Sequence, residues 1–146
     1  MRQALDLAAQ AACRGEVPVG ALVVREGRLI GSGVNGLERF QDPTAHAEIQ
    51  AIRQAAVSLG SRRLLDTALY VTLEPCAMCA GAAVLARIPR LVFGAFDPTA
   101  GACGSLWNLA QDPRLNHRCR LEGGVLGAES AAMLKKFFTE LRSKEQ

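Results

Sequence analysis

Cys76 and Cys79 stand three residues apart directly after Pro75. In the first turn of a helix, with Pro75 at its first position, their sulfurs share one face and reach a single metal ion. The positive end of the helix dipole favours thiolate over thiol, and thiolate is the form that binds zinc. Upstream, His46-Ala47-Glu48 opens a second helix, which Asp42 or Thr44 can cap and Pro43 can start. Cys, Cys and His make three protein ligands, and a tetrahedral zinc with only three keeps its fourth position for water, the catalytic arrangement. Glu48, two residues beyond His46 on a helix, points away from that metal and faces what sits beside it.

These four residue types together point to metal-assisted hydrolysis. Zinc lowers the pKa of water from roughly 15.7 to about 7, giving zinc-bound hydroxide at neutral pH. Glu48 is the candidate catalytic residue, a general base and acid placed to move that water's protons. Two blander readings compete for the cysteines: a redox pair, or half of a structural zinc site completed by His117, the only other histidine. Pro75, the helix start under each ligand group and Glu48 favour the open site.

His46-x-Glu48 followed by Pro75-Cys76-x-x-Cys79 resembles the zinc-dependent nucleobase deaminases, whose signature is known and is not dictated by spacing alone. Further stretches narrow the resemblance to the bacterial tRNA adenosine deaminases of the cytidine deaminase superfamily. They are Glu16 to Ala21, Asp42 to Ile49, Thr72 to Ala82, Gly104-Ser105-Leu106, Asn116-His117-Arg118 and Phe137-Phe138, so the similarity runs from about Leu5 to Arg142. The resemblance implies one Zn2+ per chain, a homodimer, and conversion of the wobble adenosine of a tRNA anticodon stem-loop to inosine. It also implies an RNA-binding face made of Val17, Asn35, Ala47, Glu74, Asp97, Asn116, His117, Arg118, Phe137, Phe138 and Arg142. Asn35 matches the position whose amide bonds the target base, against a plain Asn-Gly turn. Glu74 either caps the third helix or bonds the substrate amine. Three departures touch RNA contacts: Phe96 stands where some members carry a charge, the chain ends at Lys144-Glu145-Gln146 without a basic tail, and the N-terminus is short.

The elements that must position these groups follow from patterning. Met1 to Arg14 has helical spacing and Gly15 stops it. Gly20 to Arg25 and Arg28 to Val34 are β-branched runs joined by the hairpin signal Glu26-Gly27. After a polar loop to Pro43, the second helix runs to Leu59. Ala68 to Leu73 is a strand, Pro75 to Ala86 a helix and Arg90 to Ala95 a strand, a parallel crossover that puts the cysteines at a strand's carboxyl end. A long loop from Asp97 to His117, with a short helix at Ser105 to Gln111, signals function by its length. A last strand at Cys119 to Leu121 and a helix at Glu129 to Arg142 close the chain. This order predicts a three-layer α/β/α architecture with a mixed five-stranded sheet, the cytidine deaminase-like fold that the resemblance also implies.

The 146 residues fit one domain, 1–146, with 49% hydrophobic and 21% charged residues as in soluble globular proteins. No apolar run is long enough for a membrane span, and no signal-peptide pattern follows Met1, so a cytoplasmic location is the default. Five cysteines, two of them in a metal-type pair, argue against a disulfide framework. The net charge of +3 permits a polyanionic partner without requiring one. Metal, hydroxide and Glu48 alone do not select the base, so a guanine or cytosine deaminase stays as the alternative. A non-catalytic, zinc-stabilised RNA-binding protein stands behind it.

Overall fold

A computed structural model describes all 146 residues. Strands β1 (Gly20–Arg25) and β2 (Arg28–Val34) form the expected antiparallel hairpin, paired from Arg25↔Arg28 to Gly20↔Val34 with a one-residue shift of register between Val23 and Val24. Its turn residues Glu26 and Gly27 have φ of 50° and 73°. Two positive φ values are what a twist-matched two-residue hairpin turn demands. β3 (Thr67–Leu73) pairs antiparallel with β1; β4 (Arg90–Ala95) and β5 (Arg120–Glu122) continue parallel to it. The sheet order is β2-β1-β3-β4-β5, so the sheet is mixed and five-stranded.

Helices α1 (Arg2–Cys13) and α5 (Gly127–Lys144) cover one face, and α3 (Ala47–Leu59) and α4 (Ala77–Leu85) the other. Both faces being covered, the central strands carry nearly unbroken apolar runs, and Ala21, Val23, Leu69, Val71, Leu91 and Phe93 are buried. The helices meet the sheet through small residues: Ala47, Ala51 and Ala55 of α3 and Ala80 and Ala83 of α4 are fully buried in the main core cluster. On β2, Gly31 and Gly33 make the approach possible. A Cβ on either would lie 2.3 Å from the Ala51 carbonyl oxygen or 2.1 Å from that of Ala47.

Strand direction collects the site. β3 and β4 are parallel and β1 runs against them, so the ends of β2, β3 and β4 and the start of β1 share one edge of the sheet. Residues after β2, β3 and β4 therefore converge there. No helix is long and apolar enough to cross a membrane.

Several boundaries differ from expectation. A four-residue helix, α2 (Leu37–Phe40), occupies the polar loop, too short to show a period. Between Ser105 and Gln111 only a 3-10 turn at Leu109–Gln111 forms. The last helix starts earlier and the last strand ends later than patterning suggested.

Gly33→Ala is expected to lower unfolding stability by about 1–3 kcal/mol, the usual cost of overpacking. The check is the urea midpoint against wild type, with Gly81→Ala, whose added Cβ meets only Leu109 Cδ2 at 3.9 Å, as a control for glycine itself.

Candidate active site

Each metal-ligand candidate sits at a helix N-cap or within its first turn. His46 is the N-cap of α3 (φ −69°, ψ 150°) and Cys76 that of α4 (φ −72°, ψ 177°). The prolines therefore precede the helices and do not start them, a correction to the expected Pro43 and Pro75 positions. The reason is local: an N-cap needs extended backbone, which the ligand residues themselves adopt. Asp42 likewise does not cap α3. Its Oδ1 accepts bonds from the Thr44 N–H (2.8 Å) and hydroxyl (2.7 Å), forming a turn ahead of the helix.

The two helix ends bring three donor atoms together. His46 Nδ1 lies 3.6 Å from Cys76 Sγ and 3.5 Å from Cys79 Sγ, and all three donors fall within 4.8 Å of one another. Zinc bonds of about 2.3 Å to sulfur and 2.0–2.1 Å to nitrogen, opened tetrahedrally, put those atoms about 3.5 Å apart. The donor set and its spacing thus fit one zinc ion, held by His46, Cys76 and Cys79. The three groups also poise one another. A bond from the Cys79 thiol, then the His46 ring beside it, hold the Cys76 thiol down to about 4. That same bond, together with burial, pushes the Cys79 thiol up.

Glu48, in the first turn of α3, is 4% exposed, and burial pushes its carboxyl up to about 7. It faces a cavity of about 190 Å³ together with His46 and Cys76. Val17, Val19, Leu37 and Leu73 give this cavity apolar walls, and Asn35 and Asp97 give it polar ones. It is smaller than the roughly 300–1,000 Å³ of sites for drug-sized ligands, a size for one ring system. Val19, Leu37, Leu73 and Ala100 were not singled out by sequence reasoning, because apolar walls carry no motif.

The remaining expected residues divide. Asn35 is buried at the cavity, its N–H bonded to the Val19 carbonyl. Ala47 does not line the cavity; it is fully buried with its carbonyl against Gly33. Glu74 is 2% exposed and its side chain does not cap α4; loop N–H groups and a hydroxyl surround its oxygens instead. Phe137 lines a groove of about 590 Å³ between α1 and α5, which gathers no set of reactive groups. Phe138 is exposed, edge-on to Phe137 at 5.4 Å, and Arg142 is exposed further along α5. Glu16, quoted only within the family-like stretch Glu16 to Ala21, has a role no motif announces: at 2% exposure it accepts bonds from the N–H groups of Glu38 (3.3 Å) and Arg39 (2.7 Å), holding α2 beside the cavity.

Asn116, His117 and Arg118 lie elsewhere. His117 Nε2 donates to the Ile88 carbonyl (2.7 Å), just before β4, and shares a second cavity of about 380 Å³ with Arg63, Asp66 and Arg87. That is the amino end of β4, whereas the zinc ligands lie past the carboxyl end of its parallel neighbour β3. Six strand residues separate the two ends by about 20 Å. His117 as a fourth, structural zinc ligand is thereby excluded.

Comparison with known proteins agrees with this geometry. A family model for MafB19-like deaminases matches residues 1–142. The tRNA-specific adenosine deaminase of Bacillus subtilis is 48% identical over 146 residues, all of this chain and 91% of that protein. A solved structure from studies of A-to-I editing by tRNA:A34 deaminases superposes with a TM-score of 0.88 at 46% identity, covering 92% of this chain and 97% of the other. A guanine deaminase from Bacillus subtilis superposes with a TM-score of 0.65 at 39% identity over 71% of this chain and 67% of that one. On that full-length match of sequence and fold, the chain belongs to the MafB19-like deaminases and, within them, to the tRNA-specific adenosine deaminase family.

Proposed function

We propose that this chain, acting as a single zinc-dependent deaminase domain over residues 1–146, hydrolyses the wobble adenosine of a tRNA anticodon loop to inosine and ammonia. The observation that carries the chemistry is the buried Glu48 carboxyl facing the same small cavity as His46 and Cys76, two of the three groups in the His46, Cys76 and Cys79 donor set. The substrate follows from the full-length relatives. When bound, zinc supplies a nucleophile at neutral pH by making water acidic. Glu48 takes a proton from that water and passes it to the ring nitrogen next to the target carbon. As the C–O bond forms, Glu48, again a carboxylate, takes the remaining proton from the new hydroxyl and hands it to the amine, so that the C–N bond breaks, ammonia leaves and a carbonyl remains. Asn35, at the polar wall, orients the base through its amide. A cytoplasmic location, where tRNA is modified and used, goes with this reading.

A homodimer belongs to the same proposal. The basic cavity of Arg63, Arg87 and His117 lies at the sheet end opposite the zinc ligands, so one small RNA loop reaches both through a second copy of the chain. Exposed apolar residues Met78 and Leu85 of α4 and Leu106 and Trp107 of the neighbouring loop support such an interface. Phe138 and Arg142 are assigned to the RNA side.

Free-base deamination is the second reading, favoured by the guanine deaminase superposition. A synthetic anticodon stem-loop with a wobble adenosine, run beside free guanine, separates the two. Inosine formation is expected, with guanine untouched; ammonia from guanine and no inosine would reverse the assignment. Glu48→Ala is expected to lose about 10²–10⁴-fold in kcat while keeping one zinc per chain by metal analysis.

Thiol titration checks the zinc site separately. Cys13 is exposed, and burial pushes Cys119 up to about 11 and raises Cys103 as well. One fast thiol, Cys13, is expected in the zinc-loaded protein, the half-buried Cys76 as a second after chelation, and the buried Cys79, Cys103 and Cys119 only in denaturant. For the dimer, Glu48→Ala and Arg87→Ala chains, each impaired alone, are expected to regain activity when unfolded, mixed and refolded together. Mixed samples no more active than the sum of their parts would argue for independent protomers.

A further inference from the structure

Glu74 is an acid at the cavity with no free oxygen. Oε1 accepts from the Asp97 N–H (3.1 Å) and the Ser105 hydroxyl, and Oε2 from the N–H groups of Cys103 and Ser105 (3.1 Å each). A carboxylate has about four acceptor sites, and four donors fill them. All four come from one loop, residues 97–105. Gly101 lets the loop wrap this tightly, since a Cβ there would fall 2.2 Å from Glu74 Oε2. The loop also turns on itself: Asp97 Oδ1 accepts from the Thr99 N–H (3.0 Å) and hydroxyl (2.7 Å) and from the Ala100 N–H (3.2 Å). Asp97 and Ala100 then form one wall of the 190 Å³ cavity.

We propose that Glu74 is a positioning residue, which folds the Asp97–Ser105 loop into the wall that receives the target base and has no contact with the reacting amine. This rests on reading the cavity as a nucleobase pocket. The donors are three rigid backbone N–H groups and one hydroxyl, so a neutral amide at this position turns an NH2 toward a backbone N–H and leaves donors unpaired. Loss of the carboxylate therefore frees the wall and leaves the zinc ligands and Glu48 in place. Substrate binding weakens and the bond-breaking step does not.

Two substitutions disturb the same contact from opposite sides. Glu74→Gln removes the acceptors, and Gly101→Ala pushes a methyl against them without touching acid chemistry. With the stem-loop as substrate, both are expected to raise KM tenfold or more, with kcat within threefold of wild type and zinc content unchanged. The double variant is expected to be no worse than the worse single, because both break one shared contact. A kcat loss beyond a hundredfold at unchanged KM in Glu74→Gln, with Gly101→Ala normal, would overturn the proposal in favour of direct contact with the amine. Wild-type kinetics in both variants would overturn it equally. If Glu74→Gln does not fold, Ser105→Ala removes one of the four donors, the hydroxyl, and an unchanged KM there counts against the proposal. Should wild type deaminate guanine and not the stem-loop, the tRNA reading fails while the Glu74 inference is scored on the KM for guanine.

Discussion

Everything at the active end depends on how closely α3 lies against β2. Gly31 and Gly33 put bare backbone where the carbonyls of Ala51 and Ala47 pass, so the helix settles onto the strand with no side chain between them. That contact fixes the height of the α3 N-terminus above the sheet, and with it His46 at the N-cap and Glu48 in the first turn. Alanines of α4 repeat the arrangement with smaller demands, seating Cys76 and Cys79 from the neighbouring strand. A shift of a full ångström in either helix would take the donor atoms out of the 3.5–3.6 Å separation that one ion can bridge.

Much of this was legible from residue types, because a metal site needs particular donors and leaves them at characteristic spacings. His46, Cys76 and Cys79 come together as that chemistry requires, and the mixed sheet follows from the order of strand and helix patterns. Helix starts were less legible. Whether Pro75 or Cys76 begins the turn is decided by one ψ angle, and both residues tolerate extended backbone. The four residues of α2 show no period, and their fold depends on Glu16, distant in sequence. Loop 97–105 was unreadable for the same reason: its N–H groups pair with the side chain of Glu74 in place of each other.

The separation of Asn116, His117 and Arg118 from the zinc ligands illustrates a different limit. Motif matching places all three on one functional face, yet parallel pairing of β5 with β4 delivers the residues before β5 to the amino ends of the strands. Topology, which no short motif encodes, thus turns one list of candidate contacts into two clusters about 20 Å apart. A partner chain is the simplest device that lets a single small ligand meet both.

Charge adds a further constraint on a protein that is to hold RNA. The cavity end carries Glu16, Glu48, Glu74 and Asp97, four acids in a place where phosphates must approach. Three of them are turned inward, their oxygens bonded to backbone N–H groups that disperse the negative charge. The fourth, Glu48, is buried beside the zinc ligands, 4% exposed, and is shut away from an approaching phosphate. The arginines Arg63 and Arg87, by contrast, face their own cavity with only Asp66 as an acid beside them. Acids needed for shape and for proton transfer are thereby kept from repelling the polyanion, and a modest net charge of +3 suffices where its cations are left free.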